Sequence, residues 1–345
     1  MNMDEVRGPR LATVLPVYNE ETHIHRCLTS VLNQSLHPSE HMVVVLDGGS
    51  TDNTVRIVRE VMDAQVDGPE IVLMDNPART VAHARNLALN ILPASVQFII
   101  EMIGHAEVEV HHLQDRLDAW EACVKLAQRP LAGVGVRVVG LDTEASRVSS
   151  WIEAAITSPF GQSNGQFATF EDVSPTTVPA FVMHDRNAIT AVGGWDEAFI
   201  TSQDSELSMR LLKAGFALFR HPRPRVLMHK RSGLLQWWRM GHRYGFWRTK
   251  VLLRHPLRAR WKEFLPWVGF LGTLGLVATS VSWWWVLPAA YVGAMGLSGL
   301  AQAFRKQDPT AVFGVPLCLM LLHVSFSLGL LDGLVRSGRL PRDRD

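Results

Sequence analysis

The spacing of hydrophobic residues changes along this chain, and each change marks a boundary. LATVLPV (11–17), HMVVVLD (41–47), EIVLMDN (70–76) and VQFIIEMIGH (96–105) are short runs dense in aliphatic and β-branched residues. Such runs suit strands covered on both faces. The intervening segments carry a helical period. EETHIHRCLTSVLNQ (20–34) sets Ile24, Leu28, Val31 and Leu32 on one face, and DGGSTDNTVRIVREVM (47–62) passes from a Gly-Gly turn through capping residues into an amphipathic helix. RTVAHARNLALNIL (79–92) reads as a third helix. Strands alternating with helices predict a parallel sheet covered on both faces. A dinucleotide-binding domain would share that pattern, but no GxGxxG follows the first strand.

Beyond residue 264 the alternation gives way to unbroken apolar sequence. Residues 265–304 contain no charged side chain, and a bilayer core takes about 20 residues per helix. Two spans are expected here, about 264–282 and 284–304, turning near Ser280–Ser282, with Trp283, Trp284 and Trp285 at a lipid–water boundary. A third apolar run follows at about 311–335, with Pro316 and His323 inside it. Ahead of the first span, RYGFWRTKVLLRHPLRARWK carries seven Arg or Lys and no acid. That asymmetry places the preceding part on the cytoplasmic side, with the connector lying along anionic headgroups. The expected organisation is a soluble domain (1–230), a basic Trp-rich connector (231–263), a multi-pass plasma-membrane region (264–336) and a polar tail (337–345).

Composition alters this picture little. A net charge of +1 over 345 residues gives no electrostatic reason to expect nucleic acid. Cys27, Cys123 and Cys318 are too scattered for a disulfide framework.

Chemistry is expected beyond the carboxyl ends of the strands, where open α/β sheets bind ligands. Pro16–Glu20, Asp47, and Glu101 with His105 all fall there. His23, His25, His111 and His112 lack ligand spacing and are expected at the surface.

These residues carry a resemblance. LPVYNEE, VVVLDGGSTDNT, RTVAHARNLALN, GHAEV, SPFGQSNGQF, GGWDEAFITSQDSELSMRLLKAGF and HRYGFW occur in the order seen in family 2 glycosyltransferases of the GT-A fold. The chain looks most similar to the membrane-anchored, succinoglycan-type branch. The resemblance implies a Rossmann-like, mostly parallel catalytic domain, a UDP-sugar donor and inverting transfer to a polyprenyl-linked saccharide in glycan assembly. It places Pro16, Val17, Tyr18, Glu20 and Asp47 around the uridine and makes Arg79 and Arg85 candidates for the nucleotide. It makes Asp204 the base that takes the acceptor proton, with Glu206, Lys230, Trp238, Arg243 and Tyr244 toward acceptor or diphosphate. Relatives in this branch tend to read Arg-x-Asp-Gly-His-Ala where this chain reads EMIGHA, so the metal-motif aspartate becomes Ile103. Either Glu101, His105 and His229 hold a divalent cation instead, Mn²⁺ in preference to Mg²⁺, or the chain is a degenerate membrane scaffold. Direct glycosylation of polyprenyl phosphate is the enzymatic alternative.

Overall fold

The computed structural model of the chain describes residues 8–141, 146–161, 170–229 and 233–336. They form two compact units: the sheet (8–141 and 170–229), and a helical unit that draws 146–161 together with 233–336.

In the first unit β1 (Leu11–Val17), β2 (His41–Asp47), β3 (Glu70–Asp75) and β4 (Phe98–Glu101) are parallel neighbours in the order β3-β2-β1-β4. α1 (Ile24–Leu32), α2 (Thr54–Ala64) and α3 (Val81–Ile91) connect them. β2 is buried at every position and β1 at all but Pro16, as expected of strands covered on both faces. The chain then adds β5 (Ala106–Val108), α4 (His112–Leu126), β6 (Leu131–Leu141), β7 (Ser174–Pro175), β8 (Met183–Asp185), α6 (Arg186–Ala191), α7 (Gln203–Lys213) and β9 (Ala217–His229); α5 (Arg147–Thr157) belongs to the other unit. β8 pairs antiparallel with β4 and β6, extending the sheet to β3-β2-β1-β4-β8-β6-β9-β5. Connections leave β1 toward β2 on one side while β4 lies on the other, so a topological switch point lies between β1 and β4.

The helical unit contains α5, α8 (Leu234–Arg254), α9 (Leu265–Ala278), α10 (Val286–Lys306) and α11 (Ala311–Val335). α8 runs parallel to α11, and glycines set their separation. A side-chain carbon at Gly245 would come within 2.1 Å of the Phe326 carbonyl oxygen, and one at Gly329 within 2.1 Å of that of His242. Small residues allow such close helix approach. α10 and α11 are each long and apolar enough to cross a membrane. The expected first span differs: α9 has 14 residues, a length of about 21 Å against a hydrocarbon core of about 30 Å. Ser280, in the left-handed region at φ 58°, follows its end.

Candidate active site

Three loops meet at the carboxyl ends of β1 and β2. The Asp47 carboxylate accepts from the Gly49 amide (3.0 Å), the Ser50 amide (3.0 Å) and the Ser50 hydroxyl (2.5 Å). Gly49 adopts φ 78°, which only glycine takes at no steric cost. The β1 loop is latched to this turn. Asn19 N donates to Ser50 Oγ (3.0 Å), Thr51 N to Asn19 Oδ1 (2.8 Å), and Glu20 N to Thr54 Oγ1 (2.7 Å). Arg79, from the β3–α3 loop, completes the group. Its guanidinium lies over the Tyr18 ring at 5.9 Å and would meet a side-chain carbon at Gly49 at 3.1 Å. Tyr18 and Arg79 are both exposed. Pro16 and Val17 form the end of β1 that supports them. The structure therefore brings Tyr18, Asp47 and Arg79 together at the edge where a nucleotide was expected.

Glu101 ends β4 in quite different surroundings. One carboxylate oxygen lies 3.0 Å from Arg85 Nη1, 3.2 Å from the donating Trp195 Nε1 and 3.4 Å from His184 Nε2. Arg85 also lies over the Trp195 ring at 5.7 Å. Burial alone would raise the Glu101 pKa, but the Arg85 charge and the donors from His184 and Trp195 bring it down to about 2. Asn86 fixes the far side of this group: its Nδ2 donates to the Trp195 carbonyl, and its Oδ1 accepts from the Trp195 amide, both at 2.8 Å. The Gly193-Gly194 turn, with φ 81° and 76°, is thereby docked onto α3.

This geometry corrects the expected metal ligands. The alternation of strand faces does not extend from Glu101 to Ile103, because β4 stops at Glu101. Ile103 packs with the cluster beneath α1, which includes Ile24 and Leu28, whereas Glu101 faces Trp195. His105 Nδ1 contacts Glu20 Oε1 at 2.8 Å, and His229 Nε2 lies 3.4 Å from Glu107 Oε1. Glu101 is thus held apart from His105 and His229, which neighbour each other, the His229 amide 3.5 Å from the His105 carbonyl. Among the described residues no three His, Cys, Asp or Glu side chains are gathered to hold a metal ion. The residues expected to bind a divalent cation do not fit one.

Other expectations move as well. Arg85 is buried on Glu101, away from the solvent-facing edge where Arg79 and Tyr18 lie. Glu206 is fully buried and accepts from Arg210 Nε (2.9 Å) and Nη2 (2.7 Å), so it anchors α7 instead of facing an acceptor. Trp238, Arg243 and Tyr244 lie on α8 in the helical unit, with Tyr244 packed into its core. Lys230 lies outside the described residues. His112, expected at the surface, is buried and accepts from Arg116 Nε at 2.7 Å. His184, Trp195 and Arg116 went unassigned in the sequence; only His184, in AFVMHD, stood out as a polar side chain after an apolar run.

Asp204 occupies the first turn of α7, after Ser202 in the left-handed region at φ 62°. Burial and the nearby Glu101 charge push its pKa up, while Arg85 and the Ser205 amide oppose them. An acid with raised proton affinity that is still partly exposed can take a proton from a bound hydroxyl.

Comparison with known proteins bears on the fold and the family. The family model described as glycosyl transferase family 2 matches residues 13–184, and that described as glycosyl transferase family group 2 matches 115–323. The chain is 27% identical to the succinoglycan biosynthesis protein ExoA of Rhizobium meliloti, covering 95% of this chain and 96% of that one. It is 24% identical to a dolichyl N-acetyl-α-D-glucosaminyl phosphate 3-β-D-2,3-diacetamido-2,3-dideoxy-β-D-glucuronosyltransferase of Methanococcus voltae, covering 94% and 97%. Among solved structures, a mannosyltransferase from Pyrobaculum calidifontis in complex with GDP-Man and Mn²⁺ superposes with a TM-score of 0.57 at 18% identity, covering 95% of this chain and 88% of that one. S. aureus TarS 1–349 gives 0.51 at 13% identity, covering 92% and 90%. These likenesses show the GT-A fold.

Proposed function

The chain belongs to glycosyl transferase family 2, and we propose that it transfers one sugar, with inversion, from a UDP-sugar to a polyprenyl-linked saccharide at the cytoplasmic face of a membrane. The observation that carries this reading is the shared sheet edge. The exposed Tyr18 and Arg79 stand beside the largely buried Asp47 at the ends of β1 and β2, and Asp204 feels the charge of Glu101 at the end of the neighbouring β4.

Tyr18 offers a ring face to the uracil. Asp47 already accepts three donors, and a carboxylate has about four acceptor sites, which leaves one for the uracil imide. Arg79 is the exposed cation beside them and neutralises charge on the diphosphate. Asp204 takes the proton of the acceptor hydroxyl as its oxygen bonds to the anomeric carbon. The bond from that carbon to the diphosphate breaks, and UDP leaves with the electron pair. A lipid-linked acceptor is supported by the name of the Methanococcus voltae relative and by the apolar helices α10 and α11.

The test incubates the full chain in membranes with radiolabelled UDP-sugars and lipid extract. Asp204→Asn should lower transfer by about 10²–10⁴-fold while leaving UDP binding intact. A labelled monosaccharide phospholipid formed without pre-existing glycan would establish polyprenyl phosphate as the acceptor. No UDP released from any donor would overturn the enzymatic reading in favour of a scaffold.

A further inference from the structure

α11 is the most apolar of the long helices, yet its neighbours are not those of a helix surrounded by lipid. Along its first half lies α5. Trp151 Nε1 donates to Thr310 Oγ1 at 2.9 Å, and the Trp151 ring lies flat on Gly314. His323, at the midpoint of α11, reaches the Phe160 carbonyl through Nε2 at 3.1 Å and the Tyr291 hydroxyl through Nδ1 at 2.9 Å. Because the carbonyl can only accept, Nε2 carries the proton and Nδ1 accepts from Tyr291.

From Cys318 onward lies α8. Trp237 Nε1 donates to the Cys318 carbonyl, Thr249 Oγ1 to that of Leu330, and Lys250 Nζ to that of Gly333, each at 2.8 Å. α8 also carries Arg239, Arg243, Arg248 and Arg254. Arg239 is exposed and lies two residues from Trp237, which is held at Cys318, close to the middle of α11. Were α11 upright across a bilayer, this arginine would sit at hydrocarbon depth, where a charge is costly.

The exposed surface of α9, α10 and α11 has the reverse character. α9 has no buried residue. Trp283, Trp284 and Trp285 are about half exposed, and α10 and α11 add outward apolar stripes that include Leu297, Phe304, Phe313 and Leu317. α9 is preceded by exposed Trp261 and Lys262, the ammonium 5.9 Å from the indole. Trp beside cations is the composition of a membrane interface with anionic headgroups.

We infer that the helical unit is a one-sided membrane anchor: α9, Trp283–Trp285 and the outward stripes of α10 and α11 sit in one leaflet of an anionic bilayer, with α11 lying along the membrane and its α5 and α8 side toward water. One side of α10 and of α11 then meets lipid and the other meets protein, while α9, with no buried residue, lies wholly in the leaflet. This departs from the multi-pass arrangement expected from composition, because hydropathy counts apolar residues without registering which helix shields them.

The inference rests on the reading of the chain as membrane-bound, and two experiments separate the two. Ser282→Cys, between α9 and α10, and Arg305→Cys, at the far end of α10, are each placed in the full chain with Cys27, Cys123 and Cys318 replaced by Ala. A membrane-impermeant maleimide is then applied to intact bacterial cells and to inverted membrane vesicles. Arg305→Cys should label in inverted vesicles and neither position in intact cells; labelling of Ser282→Cys in intact cells would overturn the anchor and restore crossing helices. The unaltered chain provides the second measurement, which does not depend on these variants folding. Protease applied to the outer face of intact cells should leave it uncut, and cleavage in the α9–α10 turn from that side would count against the inference. A chain found in the soluble fraction before any treatment would instead break the membrane-bound reading itself.

Discussion

Asp47 and Glu101 are both carboxylates at the carboxyl ends of parallel strands on either side of β1, and they do opposite work. Asp47 is held by backbone amides and a hydroxyl in a glycine turn beside the exposed Tyr18 and Arg79. Glu101 is held by a buried guanidinium, an indole and an imidazole. A carboxylate bound only by neutral donors keeps its charge for a ligand. One bound by a buried arginine has its charge balanced inside the protein. The partner, more than the strand position, decides whether a strand-end acid belongs to the site or to the frame beneath it.

The largest expected effect tests the frame. Glu101→Ala leaves Arg85 buried without its counter-charge and should cost about 3–5 kcal/mol of stability, read by denaturant or thermal unfolding. The double variant Glu101→Leu with Arg85→Met should recover much of that loss, since an apolar pair of similar volume replaces a charged one. A loss below about 1 kcal/mol in Glu101→Ala would erase the distinction between the two acids.

The same pair predicts an acid limb. The folded-state pKa of Glu101, about 2, lies below its ordinary value of 4.5. Its stabilisation is therefore fully present above about 4.5, and it is lost as pH falls from there toward 2. Unfolding midpoints of the wild type and Glu101→Gln should converge across that window. Parallel curves down to pH 2 would place the charge elsewhere.

Asp47 should behave as the reverse case. Asp47→Asn keeps the size of the side chain but weakens its grip on an imide N–H, so UDP affinity should fall by about tenfold, equivalent to ~1.4 kcal/mol. Tyr18→Ala should weaken UDP comparably through the lost ring face, because stacking of a base on an aromatic side chain is worth about 1–3 kcal/mol. Calorimetric titration with UDP checks both. A stability loss in Asp47→Asn as large as that of Glu101→Ala would make Asp47 part of the frame too.

Local sequence revealed these two acids unequally. The alternating strands and helices, the Gly-Gly turn after Asp47 and the apolar helices could all be read, because each depends on residues within a few positions of one another. The Asp47 group was legible for that reason: its donors, Gly49 and Ser50, are two and three residues away. Glu101 was not, because Arg85, His184 and Trp195 come from α3, β8 and the Gly193-Gly194 turn, and pattern cannot show that these segments meet. The extrapolation from Ile103 to Glu101 failed at a strand end, where face alternation stops. Glu206 failed differently. Its partner Arg210 is one helical turn away, but only packing reveals that the pair points inward.

The smallest effect is the most discriminating for the open edge. Arg79 adopts φ 58°, a conformation that costs a non-glycine residue roughly 1–2 kcal/mol. Its guanidinium recovers part of that over the exposed Tyr18 ring, about 0.5–1 kcal/mol. Arg79→Ala keeps the backbone cost and loses the ring contact, so it should unfold slightly earlier than wild type. Arg79→Gly loses the contact and also relieves the backbone, so it should be more stable than Arg79→Ala by about 1 kcal/mol, the reverse of their usual order in regular structure. Both variants should weaken UDP to a similar degree, because both lack the cation. If the glycine variant keeps wild-type UDP affinity, the left-handed backbone serves only the loop, and Arg79 leaves the nucleotide group that Tyr18 and Asp47 define.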